Sequence, residues 1–584
     1  MARRDDGDSA ELVHERMGPR TSRRDRRDGA IRQVRGIAGH VHRVASIPLL
    51  PWENPKPLRT PADETAESTR RAERAKPYSR SRLACTQGIA LMEFRNERTW
   101  QNAADLGKTE DFHLNYEAAV DKVRAEFGGK HPIIIDGKEV WSKATFPDTS
   151  PADTSLVLGH FQKGTRSHAK QAIKAARAAF PGWSATPYLE RVRTIQRAAD
   201  RISDRKYAYA ALLSFENGKN RSEAMADVDE AADLLRWYAT EMIRNQGYEH
   251  TMGQFLPGET ARAMLKPYGV WAVVAPFNFP FAIAAGMSTG ALIAGNTVVF
   301  KPASDTPYMG LKLCELLHEA GLPPGVFNYV TGPGATVGQE LVDNEDVDGL
   351  VFTGSRTVGL AAFKTFTRER PKPIIAEMGG KNPTIVTASA DLEKAAIGVM
   401  RAAFGYGGQK CSACSRVLVD RTVKAAFLER LVSETQKIKI GDPTHRDVYL
   451  GPVINDAAVA TYEKAIAEVR QSKGTVVFGG KVDSKVGHFV DPTIVDGLPR
   501  NHRINKEELF VPILSVIEVD GVEDAIEVAN DVDYGLTAGI FSREPGDVRR
   551  FFSEVEVGVL YANRAAGATT GAVVGVQPFG GWKM

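Results

Sequence analysis

The first candidate for chemistry is a cysteine that follows a glycine-rich stretch, Gly405-Tyr406-Gly407-Gly408-Gln409-Lys410-Cys411. Glycine lets a backbone pass close to a ligand and adopt positive φ at little cost. A sulfur presented from such a loop is therefore well placed to act as a nucleophile. Free cysteine is also among the most buried residue types, so on this stretch alone core packing remains the alternative for Cys411.

Two polar residues at other predicted strand ends could act together with Cys411. Glu377 closes the apolar run that begins at Ile374 and precedes Gly379-Gly380, and Asn278 follows the strand-like run that ends at Ala275. We place Cys411, Glu377 and Asn278 each at a strand-to-turn junction. This set suits covalent chemistry on a carbonyl, because a thiolate can attack, a carboxylate can act as base and an amide can donate to an oxyanion.

In their order and spacing these stretches resemble the aldehyde dehydrogenase superfamily, and within it the pyrroline-carboxylate branch. The resemblance spans about residues 92–581 and includes the family's 34-residue interval from Glu377 to Cys411. It implies an α/β fold with a Rossmann-like cofactor domain, an α/β catalytic domain and an oligomerisation hairpin. It also implies that Cys411 is the nucleophile, that Glu377 activates water, and that Asn278 with the Cys411 N–H stabilises the oxyanion.

The same resemblance implies a substrate and the residues that hold it. The branch oxidises L-glutamate γ-semialdehyde to L-glutamate with NAD through a cysteine thioester, as in proline breakdown. Ser412 and the backbone N–H groups of Gly571 and Ala572 would anchor the α-carboxylate, which agrees with the anion-binding nests that glycine turns form. Phe404 would line the apolar stem of the substrate, with a plain core phenylalanine as the alternative.

A cofactor site is predicted where Thr353-Gly354-Ser355 leads from a strand into a helix, because helix N-termini attract phosphate. An ordinary capped turn is the alternative, and no Gly-x-Gly-x-x-Gly follows the first strand. By resemblance, Lys301 binds the adenine ribose. Ser304 stands where a glutamate would repel a 2′-phosphate, so we expect NAD as the cofactor with some tolerance of NADP. The predicted cofactor contacts are Lys301, Ser304, Gly334, Gly354, Ser355, Glu508 and Phe510.

The elements that must position these residues alternate between strands and helices. Continuous apolar runs between residues 269 and 353 alternate with helical stretches, which predicts a parallel sheet buried on both faces. Ligands bind such sheets at the carboxyl ends of the strands, where the candidate residues lie. Upstream, long helical stretches are predicted at 188–219 and 222–245, and the resemblance implies a projecting hairpin at about 247–266.

We predict four segments along the chain. Residues 1–91 form a basic, disordered extension, residues 92–377 an NAD-binding domain with the hairpin, and residues 378–576 a catalytic domain. Residues 577–584 begin a C-terminal segment that continues for some tens of residues in relatives. The activity and oligomeric state of a chain that stops there are left open.

The first ninety residues differ from the rest in composition. They hold 19 Lys and Arg against 12 Asp and Glu, a net charge of +7, whereas the whole chain carries +3. Such a segment buries too little apolar surface to fold alone. It is a disordered tail, an arm that contacts nucleic acid, or sequence upstream of a start at Met92; we favour the last, since the resemblance begins there. The acidic residues argue against a mitochondrial transit peptide.

Amino-acid composition limits the class of protein and its cellular compartment. Hydrophobic content of 43% and charged content of 25% are typical of soluble globular proteins. Four cysteines are too few for a disulfide scaffold and favour a reducing compartment, so we expect a cytoplasmic location. No apolar run has transmembrane length, and we expect contact with neither membrane nor nucleic acid. The resemblance implies a homo-oligomer, which is left open for a chain that stops at residue 584. A lone CxxC without further ligands predicts no metal. The alternatives are a dehydrogenase of another ω-semialdehyde, such as succinic semialdehyde, and a weakly catalytic binding protein with a basic arm.

Overall fold

The computed structural model of the protein describes residues 94–581 and residue 583, and the extension predicted at 1–91 lies outside them. The described residues form sixteen α-helices: α1 Thr99–Asp105, α2 Thr109–Arg124, α3 Arg166–Ala185, α4 Tyr188–Asp204, α5 Lys206–Asn217, α6 Arg221–Arg244, α7 Ala282–Ile293, α8 Pro307–Glu319, α9 Gln339–Asp343, α10 Arg356–Phe366, α11 Leu392–Phe404, α12 Lys424–Gln436, α13 Asp456–Gln471, α14 Arg503–Lys506, α15 Gly521–Asn530 and α16 Pro545–Glu554.

They also form twenty-one strands: β1 Gly129–His131, β2 Ile133–Ile135, β3 Lys138–Val140, β4 Thr145–Ser150, β5 Asp153–Gln162, β6 Glu249–Thr251, β7 Arg262–Met264, β8 Val270–Val274, β9 Thr297–Lys301, β10 Phe327–Tyr329, β11 Gly349–Thr353, β12 Ile374–Glu377, β13 Asn382–Val386, β14 Cys414–Asp420, β15 Thr475–Phe478, β16 Val482–Asp483, β17 Phe489–Val490, β18 Thr493–Asp496, β19 Ile513–Val519, β20 Thr537–Phe541 and β21 Val559–Ala562.

The first large sheet has the strand order β12-β11-β8-β9-β10-β2-β3. Its first five strands are mutually parallel, which confirms the predicted parallel sheet for that part. The prediction missed the antiparallel edge formed by β2 and β3. Asp136 and Gly137, both at positive φ, join these two strands in a two-residue turn whose twist suits a hairpin.

Helices cover both faces of the first large sheet. Helices α3 and α10 pack on one face against Val270, Ala272 and Val299. Helices α4 to α8 pack on the other against Val273 and Phe300. Because adjacent residues of one strand point to opposite faces, strands covered on both sides must be apolar throughout. This explains the uninterrupted apolar runs in the sequence.

One predicted helical stretch, 188–219, is two helices. Helix α4 ends at Asp204 and α5 begins at Lys206, with Arg205 between them at φ −110°, ψ 15°. Neither proline nor glycine marks this break, so the sequence carried no local signal for it. Helix α5 is followed by Gly218 in the left-handed conformation, and the Asn220 side chain accepts hydrogen bonds from two free N–H groups in the first turn of α6.

The second large sheet has the order β15-β18-β19-β14-β13-β20-β21 and is parallel except for β15. Helices α11 and α12 cover one face, and α15 and α16 cover the other. The chain passes from the first large sheet to the second through the turn between Glu377 and Asn382. The domain boundary proposed at Glu377 falls on this turn and remains a prediction.

Strands β6 and β7 form an antiparallel hairpin in the region predicted for it. Its apolar side chains are exposed, with Phe255 at 91% and Leu265 at 74% of their full accessible area. A role for this hairpin in oligomer contacts remains a prediction. In the described part of the chain, no helix combines the length and apolarity needed to cross a bilayer.

Candidate active site

The loop that carries Cys411 is held by an unusual backbone. Tyr406, Gly407 and Gly408 have φ values of 49°, 62° and 67°, a left-handed run that a bulky residue such as tyrosine rarely adopts. The Tyr406 hydroxyl donates to the carbonyl oxygen of Asn217 over 2.9 Å. A Cβ on Gly408 would lie 2.9 Å from the carbonyl oxygen of Val511. The loop is therefore fixed between two other chain segments.

The structure corrects the predicted position of Cys411. The residue lies three positions before the first residue of β14, at a turn-to-strand junction, and not where a strand ends. Glu377, in contrast, is the last residue of β12, and Asn278 follows β8, as expected. The local sequence misled because the apolar run ahead of the loop is helix α11 and not a strand.

The turn after Glu377 touches the cysteine loop directly. A Cβ on Gly380 would overlap the carbonyl oxygen of Cys411, so only glycine allows this approach. The Asn382 side-chain amide donates to the same carbonyl oxygen over 2.7 Å. The two glycines after Glu377 thus bring the end of β12 and the cysteine loop into backbone contact.

Burial and neighbouring carboxyl groups set the protonation of this centre. Burial, with the Glu377 and Glu508 charges adding to its effect, raises the pKa of the Cys411 thiol to about 12. Burial also raises the pKa of Glu377. For Glu508, burial raises the pKa to about 7 against the opposing effects of the Gly380 N–H and Lys381. The thiol is therefore neutral at pH 7, and Glu377 is a stronger base than an exposed glutamate.

The two proposed oxyanion donors are the Asn278 side-chain amide and the Cys411 backbone N–H. The Asn278 side-chain nitrogen donates to the carbonyl oxygen of Gln409 over 3.0 Å, and its oxygen accepts the Phe279 N–H. An asparagine amide has two N–H groups, so one remains for another acceptor. The backbone N–H of Cys411 has no acceptor among the described residues. Each group therefore has an N–H available for a further acceptor; their role as oxyanion donors remains a prediction.

A cavity of about 2090 Å³ opens onto this centre. Five predicted residues line it, namely Cys411, Ser412, Glu377, Gly571 and Ala572. Asn278, Phe404 and the predicted cofactor residues are absent from its lining, as far as the described residues go.

The sequence reasoning missed an acidic wall of this cavity. Asp229, Glu230 and Asp233, all on α6, line it. Burial raises the pKa of Glu230 to about 8, with the Asp227 charge adding to the effect, and raises that of Asp233 to about 7. A cluster of acids on one helix usually indicates a solvated face, so only their burial against the cavity distinguishes them.

The substrate loop, defined here as residues 569–577, faces the same cavity. The Arg564 guanidinium donates to the carbonyl oxygens of Gly567, Thr570 and Gly571. The Thr569 hydroxyl donates to the carbonyl oxygen of Ser412 over 2.6 Å. The N–H groups of Gly571 and Ala572 are unpaired among the described residues. Free N–H groups on a glycine turn form an anion-binding corner, and this one lies beside the cysteine loop.

Phe404 lies elsewhere. Its side chain is fully buried in the core between α11, α12 and the second large sheet. The structure therefore places it in the packing position that the alternative interpretation described, one residue before the cysteine loop begins.

Lys301 and Gly334 both lie at the carboxyl edge of the first large sheet, because they end or follow the parallel strands β9 and β10. Lys301 ends β9 and is 5% exposed, and its methylene groups pass within 3.8 Å of the site of a Cβ on Gly338. The Lys301 ammonium donates to the carbonyl oxygen of Pro302 over 3.0 Å. Burial lowers its pKa to about 8, against the effect of Asp305. Ser304 follows in an exposed turn.

Gly354 and Ser355 form the N-terminal approach to α10. Ser355 is the extended residue that precedes the helix. The first N–H groups of α10 have no acceptor within the helix and are available to a ligand. The Gly354 N–H donates to the carbonyl oxygen of Glu377 over 3.1 Å. This bond joins the predicted cofactor side to the residue that also lines the cavity.

Glu508 and Phe510 are the last two of the predicted cofactor contacts. The Gly380 N–H donates to the Glu508 carboxyl over 2.8 Å, and a Cβ on Gly379 would overlap that carboxyl. Phe510 has a φ of 59°, and its ring lies 5.7 Å from that of Phe277. Strained backbone in a bulky residue often accompanies a functional site. The turn after Glu377 therefore contacts both the Glu508 side chain and the cysteine loop.

Comparisons with known proteins agree with this geometry. The sequence profile of the aldehyde dehydrogenase family matches residues 138–584. A 1-pyrroline-5-carboxylate dehydrogenase from Geobacillus sp. is 40% identical over 474 residues, which cover 80% of this chain and 91% of the relative.

Solved structures give the same result. A 1-pyrroline-5-carboxylate dehydrogenase from Thermus with bound NAD has a TM-score of 0.80 and 38% identity, over 85% of this chain and 95% of that one. A betaine aldehyde dehydrogenase from Staphylococcus aureus in complex with NAD⁺ has a TM-score of 0.74 and 29% identity, over 79% of this chain and 91% of that one. The chain belongs to the aldehyde dehydrogenase family.

Proposed function

We propose that this chain oxidises L-glutamate γ-semialdehyde, the open form of 1-pyrroline-5-carboxylate, to L-glutamate with NAD. The observation that carries the proposal is the polarity of one cavity. Its acidic wall on α6 faces a cavity that also holds Cys411 and the free N–H groups of the substrate loop. This substrate carries an ammonium, an aldehyde and a carboxylate, so its three polar groups match the three parts of the cavity. Relatives named for this reaction support the assignment.

In the proposed mechanism, the Cys411 sulfur forms a bond to the aldehyde carbon. Its proton must first leave, and Glu377 is the nearby carboxylate whose charge already acts on the thiol. The Asn278 amide and the Cys411 N–H donate to the oxygen that becomes negative. The acyl group left on Cys411 after oxidation is a thioester. After it has passed the thiol proton to solvent, Glu377 takes a proton from the water that attacks this thioester. That proton goes to the leaving Cys411 sulfur, and the acid is released.

The residues at the carboxyl edge of the first large sheet fit a dinucleotide. The unpaired N–H groups at the start of α10 suit a pyrophosphate, and the Lys301 ammonium at the end of β9 suits ribose hydroxyls. Ser304 is too short and neutral to repel a 2′-phosphate, so we expect slower but measurable turnover with NADP. Glu508 and Phe510 would position the nicotinamide end beside Cys411. NAD, when bound there, supplies the acceptor for hydride.

On the substrate side, Ser412, Gly571 and Ala572 would hold the α-carboxylate, and Glu230 would face the ammonium. We further propose a homo-oligomer that uses the exposed β6–β7 hairpin, and a cytoplasmic location, as the cysteine content suggests.

The test is a steady-state panel on the purified chain. We expect NADH formation with 1-pyrroline-5-carboxylate to have a much higher kcat/KM than with succinic semialdehyde, which lacks the ammonium that the acidic wall would bind. A preference for succinic semialdehyde would replace this substrate with the alternative one. Turnover of neither aldehyde would reject the dehydrogenase assignment for this chain.

A further inference from the structure

The segment Phe94–Thr99 lies against the acidic face of α6. The Glu97 N–H donates to one oxygen of Asp233 over 2.9 Å. The Thr99 N–H donates to Asp229 over 2.7 Å, and the Thr99 hydroxyl donates to the other oxygen of Asp229 over 2.7 Å. Both aspartates are buried. Because buried polar groups are costly to leave unpaired, these bonds fix the path of the segment along the helix.

Asn96 connects this segment to the substrate loop. Its side-chain nitrogen donates to the second oxygen of Asp233 over 3.0 Å. The same nitrogen donates to the carbonyl oxygen of Val574 over 3.0 Å. An asparagine amide carries two N–H groups, and both are used here. One side chain therefore ties α6 to a loop that lies 478 residues later in the chain.

Aromatic packing supports the same contact. The Phe94 ring meets the Trp237 ring edge-on, with centroids 5.1 Å apart. A Cβ on Gly575 would lie 3.0 Å from Trp237 and 3.1 Å from Phe94, and Gly575 has a φ of 75°. The two rings thus press on the glycine directly after Val574. The loop is held here by a hydrogen bond and by a close apolar contact.

We propose that Asn96, with Phe94, positions the substrate loop so that the Gly571 and Ala572 N–H groups can bind the substrate carboxylate. The inference rests on the function proposed above. Arg564, which follows β21, and Thr569 hold the start of this loop, whereas Asn96, itself bonded to Asp233 of α6, holds its later part. A loop that presents N–H donors must be held within about 0.5 Å of its working geometry. Asn96 is accordingly a positioning residue, and it lies outside the stretch that the family profile matches.

The test compares Asn96→Ala with the unaltered chain. We expect KM for 1-pyrroline-5-carboxylate to rise about fivefold or more, the size that one lost hydrogen bond accounts for. The KM for NAD and for butanal, an aldehyde without a carboxylate, should stay unchanged. Hydrogen exchange should quicken at residues 571–576 and stay unchanged at 405–411. Phe94→Ala should shift the same quantities in the same direction by less.

Asn115→Ala is the matched control. Asn115 is an exposed asparagine whose amide donates to Asp111 within α2, so neither KM nor exchange in the substrate loop should change. An Asn96→Ala variant with wild-type KM for the semialdehyde, or with an equal rise for butanal, overturns the proposal. If Asn96→Ala does not fold, Phe94→Ala decides in its place. Hydrogen exchange needs no substrate, so the inference can fail or stand even if the proposed reaction is wrong.

Discussion

The cysteine loop and the substrate loop reach the same cavity but are held in different ways. Residues 405–409 are all buried, and their shape comes from three consecutive left-handed residues and from the adjacent Gly379-Gly380 turn. The substrate loop is largely exposed after Thr569 and depends on side chains such as Arg564 and Asn96. Glycine spacing therefore encodes the reactive centre locally, whereas the loop proposed to select the substrate is fixed by residues remote in sequence.

The largest expected effect separates Cys411 from Cys414, the first residue of β14. Cys411→Ala should lower kcat by about 10³-fold or more, because the nucleophile is lost, while NAD binding measured by fluorescence titration persists. Cys414→Ala should keep most activity, since the Cys414 sulfur is buried against the Thr384 hydroxyl at 3.2 Å. The reverse pattern would transfer the nucleophile's role to Cys414.

Glu377→Gln should slow turnover by about 10²-fold, the usual range for loss of a positioned base. If Glu377 mainly serves hydrolysis of the thioester, hydride transfer is slowed less than acyl release. Rapid mixing should then show a burst of NADH followed by a slow steady state. Loss of the burst together with normal turnover would remove Glu377 from the proposed role.

Gly380→Ala tests whether the backbone of the cysteine loop is the more sensitive of the two regions. The new methyl group would overlap the Cys411 carbonyl oxygen, so the loop must shift, and a misplacement of about 1 Å can cost 10²-fold in rate. The measured quantity is kcat with 1-pyrroline-5-carboxylate. Gly546→Ala is the control, because a Cβ there meets nothing within 4 Å; equal losses in both variants would refute the steric argument.

Glu230 in the acidic wall should lower the free energy of unfolding as pH rises. The folded pKa of Glu230 is about 8 against an ordinary 4.5, so the fold favours the protonated form. Its contribution to stability is full below pH 4.5 and is lost as pH rises to about 8. Glu230→Gln should therefore melt near the wild-type temperature at pH 5 and be more stable at pH 9, by about 1 kcal/mol or more. A gap that does not grow with pH would contradict this.

The sequence was sufficient for the parts that repeat a local pattern. Apolar runs and glycines gave the parallel strands, the end of β12 at Glu377 and the turn that carries Cys411. Sequence patterns were insufficient where contacts between distant residues determine the structure. Nothing near Arg205 predicts that one helix becomes two, and the buried side of Glu230 is visible only once α6 is placed against the cavity. Asn96 carries no local signal, because its importance depends on the carbonyl oxygen of Val574.

The smallest expected effect concerns Phe404, which directly precedes the cysteine loop but was predicted to contact the substrate. Its complete burial in the core of the second large sheet predicts that Phe404→Leu costs stability, about 1 kcal/mol, because the smaller side chain leaves part of the space unfilled. KM for 1-pyrroline-5-carboxylate should stay unchanged. Phe427→Leu removes a ring from the same core but on α12, so urea unfolding should show a similar loss in both variants. A raised KM in Phe404→Leu alone would instead mean that this ring contacts the substrate, and the cysteine loop would then contribute to selecting the substrate as well as to the reaction.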